Sequence, residues 1–131
     1  MDSAPHIEEL PGLRVTVDNV VYEPCLDAPP ERPHPFVYFL TIHNDSAETV
    51  RLVGRKWVVT DLGNGSRLVV EGEGIVGERP RLEPGQSFSY HSYHPVAGDS
   101  HAEGAFFGTC EDGRPVCVRV PVFALRVPRG G

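Results

Sequence analysis

Thirteen prolines and fourteen glycines are spread through 131 residues, and most of them stand singly between short apolar runs. Proline removes a backbone donor and clashes with the preceding helical turn, so each one closes a helix before it gains length. No window of a dozen residues combines helical periodicity with freedom from proline. The runs between the breakers alternate with period two instead, which is the signature of strands joined by turns. L-R-V-T-V-D-N-V-V-Y (13–22) reads as a first strand. F-V-Y-F-L-T-I-H (36–43) is the clearest, with Phe36, Tyr38, Leu40 and Ile42 on one face and Val37, Phe39, Thr41 and His43 on the other. V-R-L-V (50–53), R-K-W-V-V-T-D (55–61), S-R-L-V-V-E (66–71), S-F-S-Y-H-S-Y (87–93), A-F-F-G-T-C (105–110) and P-V-C-V-R-V-P-V-F-A-L-R-V (115–127) follow. Between the first two lies a segment with five prolines (23–35), expected to be an extended crossing. About seven or eight short strands predict an all-β chain, an antiparallel β-sandwich of the immunoglobulin-like kind. Residues 13–128 form a single domain in this reading, preceded by a loosely held arm over 1–12.

The formal charge of −6 and the single lysine, Lys56, argue against a nucleic-acid binder that works by neutralising phosphates. Cys25, Cys110 and Cys117 make an odd count, unlike a secreted disulfide framework. If Asp112-Gly113 forms a two-residue turn, Cys110 falls opposite Pro115 and Cys117 opposite Gly108, out of register for a disulfide. No run approaches the roughly 20 apolar residues that span a bilayer as a helix. The N-terminal residues also lack the basic and apolar regions of a signal peptide. A cytoplasmic location is the expectation.

The stretch E-G-E-G-I-V-G-E (71–78) contains a literal G-x-G-x-x-G. Such a loop holds a pyrophosphate only when a helix starts at it and offers its free N–H groups and dipole. Here Pro80 and Pro84 deny that helix, and Glu71, Glu73 and Glu78 put carboxylates where a polyanion would sit. The glycines are therefore expected to serve positive φ angles or close backbone approach. Gly72, Glu73, Gly74 and Gly77 remain the residues of a small-ligand site, for a nucleotide pyrophosphate, if one exists.

Several blocks taken together resemble one family. W-V-V-T-D (57–61), G-E-G-I-V-G-E-R-P-R-L-E-P-G (72–85), F-S-Y (88–90), E-G (103–104) and V-P-V-F-A-L (120–125) are similar to the ApaG family of small bacterial proteins (DUF525), over about Val15 to Pro128. The resemblance implies a fibronectin type III-like sandwich and an indirect link to cobalt and magnesium tolerance. It also implies gene neighbourhood with a diadenosine tetraphosphate hydrolase, and kinship with domains of eukaryotic F-box and polymerase-interacting proteins that act as protein-interaction modules. It brings no catalytic residues. Fibronectin-like domains often brace a strand corner with L-x-P-G-x-x-Y, in which a tyrosine hydroxyl makes the key hydrogen bond. Leu82, Pro84 and Gly85 fit, but Phe88 holds the tyrosine position, leaving Tyr90 as a substitute on the same strand face.

The remaining chemistry is sparse. His91 and His94, with His101 and Glu103, form the candidate transition-metal set, although positions i and i+3 of a strand point to opposite faces unless Pro95 bends the chain. Glu71 and Glu73, with Glu78 or Asp61 near, are the carboxylates available to magnesium. No G-x-S-x-G and no cysteine in a basic, histidine-rich setting marks a nucleophile, and Trp57 reads as a core anchor. Two strands are apolar on both faces, so Val37, Phe39, Phe123 and Leu125 form a candidate interaction surface for a protein partner or a second copy. The alternative for the last strand is a bulge at Pro121 that turns both halves inward. The sequence thus favours a non-enzymatic binding module that needs no cofactor. A small-ligand binder for a nucleotide or a divalent cation is the second reading.

Overall fold

The computed structural model describes residues 7–129, and no helix occurs among them. Nine strands run in chain order: β1 (Glu8–Glu9), β2 (Leu13–Tyr22), β3 (His34–Asn44), β4 (Val50–Asp61), β5 (Arg67–Glu73), β6 (Arg81–Leu82), β7 (Ser87–Val96), β8 (Ser100–Cys110) and β9 (Pro115–Leu125). They form two stacked sheets, one in the order β1-β9-β8-β4-β5 with β6 also on β4, the other in the order β2-β3-β7. Every pairing is antiparallel except that of β1 with β9. The count exceeds seven or eight because β1 and β6 are two-residue strands without a periodic signal of their own. Part of the expected arm is thereby tied down: Glu8 and Glu9 pair with Val116 and Cys117, while 1–6 lie outside the described residues.

The core is the space between the sheets. From β3 come Phe36, Tyr38, Leu40 and Ile42, and from β4 come Val50, Leu52, Trp57 and Val59. The inward parity of β4 changes from even to odd because a bulge lies between Leu52 and Gly54. Trp57 packs across Gly104, its partner on β8, where any Cβ would meet the indole at 2.8 Å. A second bulge decides β9. Val120 pairs with Gly104 and Phe123 with Ala102, so Pro121 and Val122 together oppose Glu103 alone. Val116, Val118 and Val120 point inward before the bulge, and Phe123 and Leu125 point inward after it. Leu125 is fully buried while Val122 is 59% exposed, which removes Phe123 and Leu125 from the candidate outer surface.

The last hairpin also differs from the two-residue reading. Gly113 N donates to Cys110 O (2.9 Å), Cys110 N donates to Arg114 O (3.0 Å) and Gly113 has φ +86°, a three-residue loop with a glycine bulge. Cys117 therefore faces Phe107, and all three cysteines are free thiols.

The L-x-P-G corner is held without a tyrosine. Tyr90 Oη has no hydrogen-bond partner, and its ring stacks on Phe88 at 5.9 Å. The brace is Asn44, fully buried at the end of β3. Its Nδ2 donates to Glu48 O (2.8 Å) and Leu82 O (2.9 Å), and its Oδ1 accepts from Ser46 Oγ (2.6 Å) and Ser46 N (3.1 Å). Its backbone pairs with Gly85 and Gln86 across the same corner.

Candidate functional site

β3 is covered on its inner face by the other sheet, and its outer face is left to short neighbours. The register places side chains there in rows. Val21, Val37 and Tyr93 form one row, Asn19, Phe39 and His91 the next, and Thr16, Thr41 and Ser89 a third. Phe39 is 37% exposed, and its ring lies 5.4 Å from that of His91. The proline-rich crossing folds over one end, where Tyr93 Oη donates to Asp27 O (3.1 Å) and Leu26 joins the apolar rows. The result is a concavity of about 620 Å³ lined by Val21, Leu26, Val37, Phe39 and Tyr93, with Glu23 and His91 at its rim. Val37 and Phe39 are thus brought together on this face.

Beside the apolar rows runs a chain of hydroxyls centred on Asp18, the residue that the β2 bulge inserts between Val17 and Asn19. Thr16 Oγ1 donates to Asp18 Oδ1 (2.9 Å), Thr41 Oγ1 donates to Asp18 Oδ2, and Ser89 Oγ lies 2.8 Å from Thr41 Oγ1. The hydroxyl bonds from Thr41 and Thr16 hold the Asp18 carboxyl below its usual range, so it stays ionised. His43 Nε2 is 3.0 Å from Thr16 Oγ1. Thr16 has one proton and gives it to Asp18, so the imidazole must donate to Thr16 rather than accept from it. That is the wrong direction for a base activating a nucleophile.

The glycine stretch is a tight turn. Ile75 and Glu78 exchange backbone hydrogen bonds of 2.8 and 3.0 Å around Val76 (φ +46°) and Gly77 (φ +83°). Positive φ at both central residues is the primed hairpin type. Gly74 has φ +70°, and a Cβ there would sit 2.8 Å from Glu78 O. Ile75 is fully buried and anchors the turn in the core, and Arg55 Nη1 caps Glu73 O (2.8 Å) and Gly74 O (3.1 Å). The chain continues into β6, not into a helix.

The candidate metal residues do not converge. His91 is exposed on the outer face. His94 is buried against Tyr38 (rings 4.7 Å, stacked) and Trp57 (5.1 Å, edge-on). His101 and Glu103 lie on β8, in the other sheet, opposite Thr60 and Val58. Burial pushes His94 down to about 4, and its Nε2 has no partner. The carboxylates are engaged elsewhere: Glu71 with Lys56 (3.5 Å), Glu73 with Arg79 (2.9 Å), and Asp61 with the backbone N–H groups of Gly63 and Asn64. One ligand-like group does form among the described residues, from Glu48, Cys110 and Asp112. The Arg114 guanidinium sits among them, bonded to Glu48 and 3.4 Å from Cys110 Sγ, and takes the place of a cation. Sequence reasoning missed Asp18 and its hydroxyls because they are scattered over three strands. The only local signal was the D-N pair interrupting the alternation of β2.

Two sheets, antiparallel but for the short β1, with a Trp-centred core and an L-x-P-G corner define the class: a fibronectin type III-like β-sandwich of small size. The sequence profile of the ApaG domain (DUF525) matches residues 25–109. The chain is 37% identical over 120 residues to Protein ApaG of Bdellovibrio bacteriovorus, covering 91% of this chain and 93% of that one. It is 39% identical over 118 residues to Protein ApaG of Brucella canis, with 89% of each covered. The crystal structure of the ApaA protein of Bordetella pertussis superposes with a TM-score of 0.76 at 28% identity, covering 95% of this chain and all of that one. The X-ray structure of structural-genomics target SoR45 does so with a TM-score of 0.79 at 27% identity, covering 91% of this chain and 89% of that one. The chain belongs to the ApaG family.

Proposed function

We propose that this protein is a non-enzymatic binding module that receives a protein segment on the outer face of its three-stranded sheet. The observation that carries the reading is the pairing, on one face, of exposed apolar side chains with two carboxylates, Asp18 and Glu23, and with no lysine or arginine in the lining. Val37, Phe39, Tyr93 and Leu26 offer an apolar seat, and the ionised Asp18 offers a site for a cation. The segment that fits is an apolar side chain flanked by lysine or arginine. The direction of the Thr16–His43 bond supports a binding role over a hydrolytic one. Any part in cobalt or magnesium tolerance is then indirect and passes through the partner. The nucleotide reading draws less support, since the glycine stretch closes on itself as a turn.

Selection of random displayed peptides on the intact protein tests this. The expected winners place an aliphatic or aromatic residue next to a basic one, and lose binding to Phe39→Glu and weaken with Asp18→Asn. Winners that are acidic, or that bind Phe39→Glu as well as the parent, would refute it.

A further inference from the structure

The two sheets expose four edges, and three of them carry devices that discourage further pairing. β1 is only two residues long and the β9 edge beyond it carries Pro121 and a bulge, β2 is interrupted by the bulge at Asp18, and β7 contains Pro95. β5 carries none. Its register against β4 is continuous from Arg67 to Glu73, and it has no proline, no lysine and no bulge.

The parity of its free backbone groups follows from the two ends of the β4–β5 pair. Asp61 N donates to Ser66 O (2.8 Å) and Gly74 N donates to Val53 O (2.7 Å). Antiparallel ladders alternate, so the even-numbered residues of β5 bond to β4. Arg67, Val69 and Glu71 then turn their N–H and C=O groups outward at the edge, and so does Glu73, whose C=O is already capped by Arg55 (2.8 Å). Their side chains share the exposed face of the six-stranded sheet, with Val69 51% exposed. Within R-L-V-V-E (67–71) the outward pattern is basic, apolar, acidic. An antiparallel copy of that pattern, centred on Val69, sets Val69 against itself and Arg67 against Glu71 twice. All of these pairs fall at positions with free backbone groups. Arg67 has no salt bridge among the described residues, and Glu71 has only a 3.5 Å contact with Lys56.

The geometry points to β5 as a self-pairing edge: two copies join antiparallel about Val69, merging their larger sheets into one continuous sheet across a two-fold axis. The occupant is a second copy because the strand is complementary to its own reverse, in charge and in backbone parity. The contact is small, so the dimer is weak and depends on concentration.

Sedimentation equilibrium of the full chain from about 20 μM to about 1 mM, where weak contacts of this size associate, is expected to show a monomer–dimer equilibrium. Amide exchange at Arg67, Val69 and Glu71 should slow with concentration, while Leu68 and Val70, already bonded to β4, should not change. Arg67→Glu and Glu71→Arg are each expected to weaken association about tenfold by placing like charges opposite each other. The combined variant should restore it to within about threefold, because the swapped charges pair again. Melting curves of all three variants confirm that each is folded. A monomer throughout the range overturns the proposal. So does failure of the double swap to restore association, or sensitivity to Glu73→Arg with none to Glu71→Arg, since either result places the axis elsewhere.

Discussion

Asn44 and His94 are two buried polar residues with opposite accounts. Asn44 satisfies its whole side-chain amide through Glu48, Leu82 and Ser46, and so ties the end of β3 to the L-x-P-G corner. Removing it takes the side-chain donor from the buried Leu82 carbonyl and leaves Glu48 O to the longer bond from Ser46 Oγ (3.2 Å), so Asn44→Ala should cost about 2 kcal/mol in a urea titration. His94 is held neutral with Nε2 unpartnered. Its folded value, about 4, lies below the ordinary 6.5, so between those two values the unfolded chain binds a proton that the folded protein refuses. Stability contributed at this site is therefore complete above pH 6.5 and falls as the pH drops toward 4, by about 3 kcal/mol in all. His94→Phe keeps the stacking on Tyr38 without the proton. The difference in unfolding free energy between parent and variant should change by that amount from pH 7 to pH 4, and a flat difference would show that the imidazole titrates freely. The sequence displayed these histidines but not their surroundings. H-S-Y-H reads alike whether His94 faces solvent, a metal or Trp57, because only the partner sheet decides.

At the scale of elements, period-two alternation made nearly every long strand legible, since the side-chain period of a strand follows from backbone geometry alone. β6 escaped because two residues carry no period. The facing of β9 stayed ambiguous because a bulge adds one residue without any required composition. Pro121 was the one local mark of it, and the packing of Phe123 over Trp57 (5.9 Å) is what fixes the inward turn. The glycine stretch shows the converse: its glycines were readable as turn residues, yet Val76 occupies a conformation that a β-branched side chain rarely adopts. Ile75, locked in the core one residue earlier, holds it there. Val76→Asn, exposed and tolerant of positive φ, should stabilise the protein by about 1 kcal/mol. Gly74→Val should do the reverse, losing several degrees of melting temperature where Ser66→Ala loses almost none, because its Cβ would press on Glu78 O. Equal melting temperatures for Gly74→Val and Ser66→Ala would mean that the turn relaxes freely.

For the whole molecule, the question is whether two sheets joined by few covalent crossings behave as one cooperative unit. The single tryptophan sits where this is decided. Trp57 extends from the larger sheet and meets Tyr38 at 5.0 Å and His94 at 5.1 Å from the smaller one, with Phe106 and Phe123 of its own sheet edge-on to it. Aromatic contacts of this kind exchange little area with water until the sheets separate, so indole burial reports the sandwich rather than either sheet. Far-ultraviolet dichroism, by contrast, reports the strands of both. If the sandwich is the only stable arrangement, Trp57 fluorescence and dichroism will trace one transition with one midpoint in urea. Trp57→Leu removes the only tryptophan, so dichroism alone follows that variant, and it will show one transition with the unfolding free energy lowered by about 3 kcal/mol. Fluorescence changing at lower urea than dichroism would mean that the six-stranded sheet persists alone. An isolated sheet of that kind would expose its whole inner apolar face, from Val50 to Leu125, to water, and that cost is the physical reason to expect a single transition.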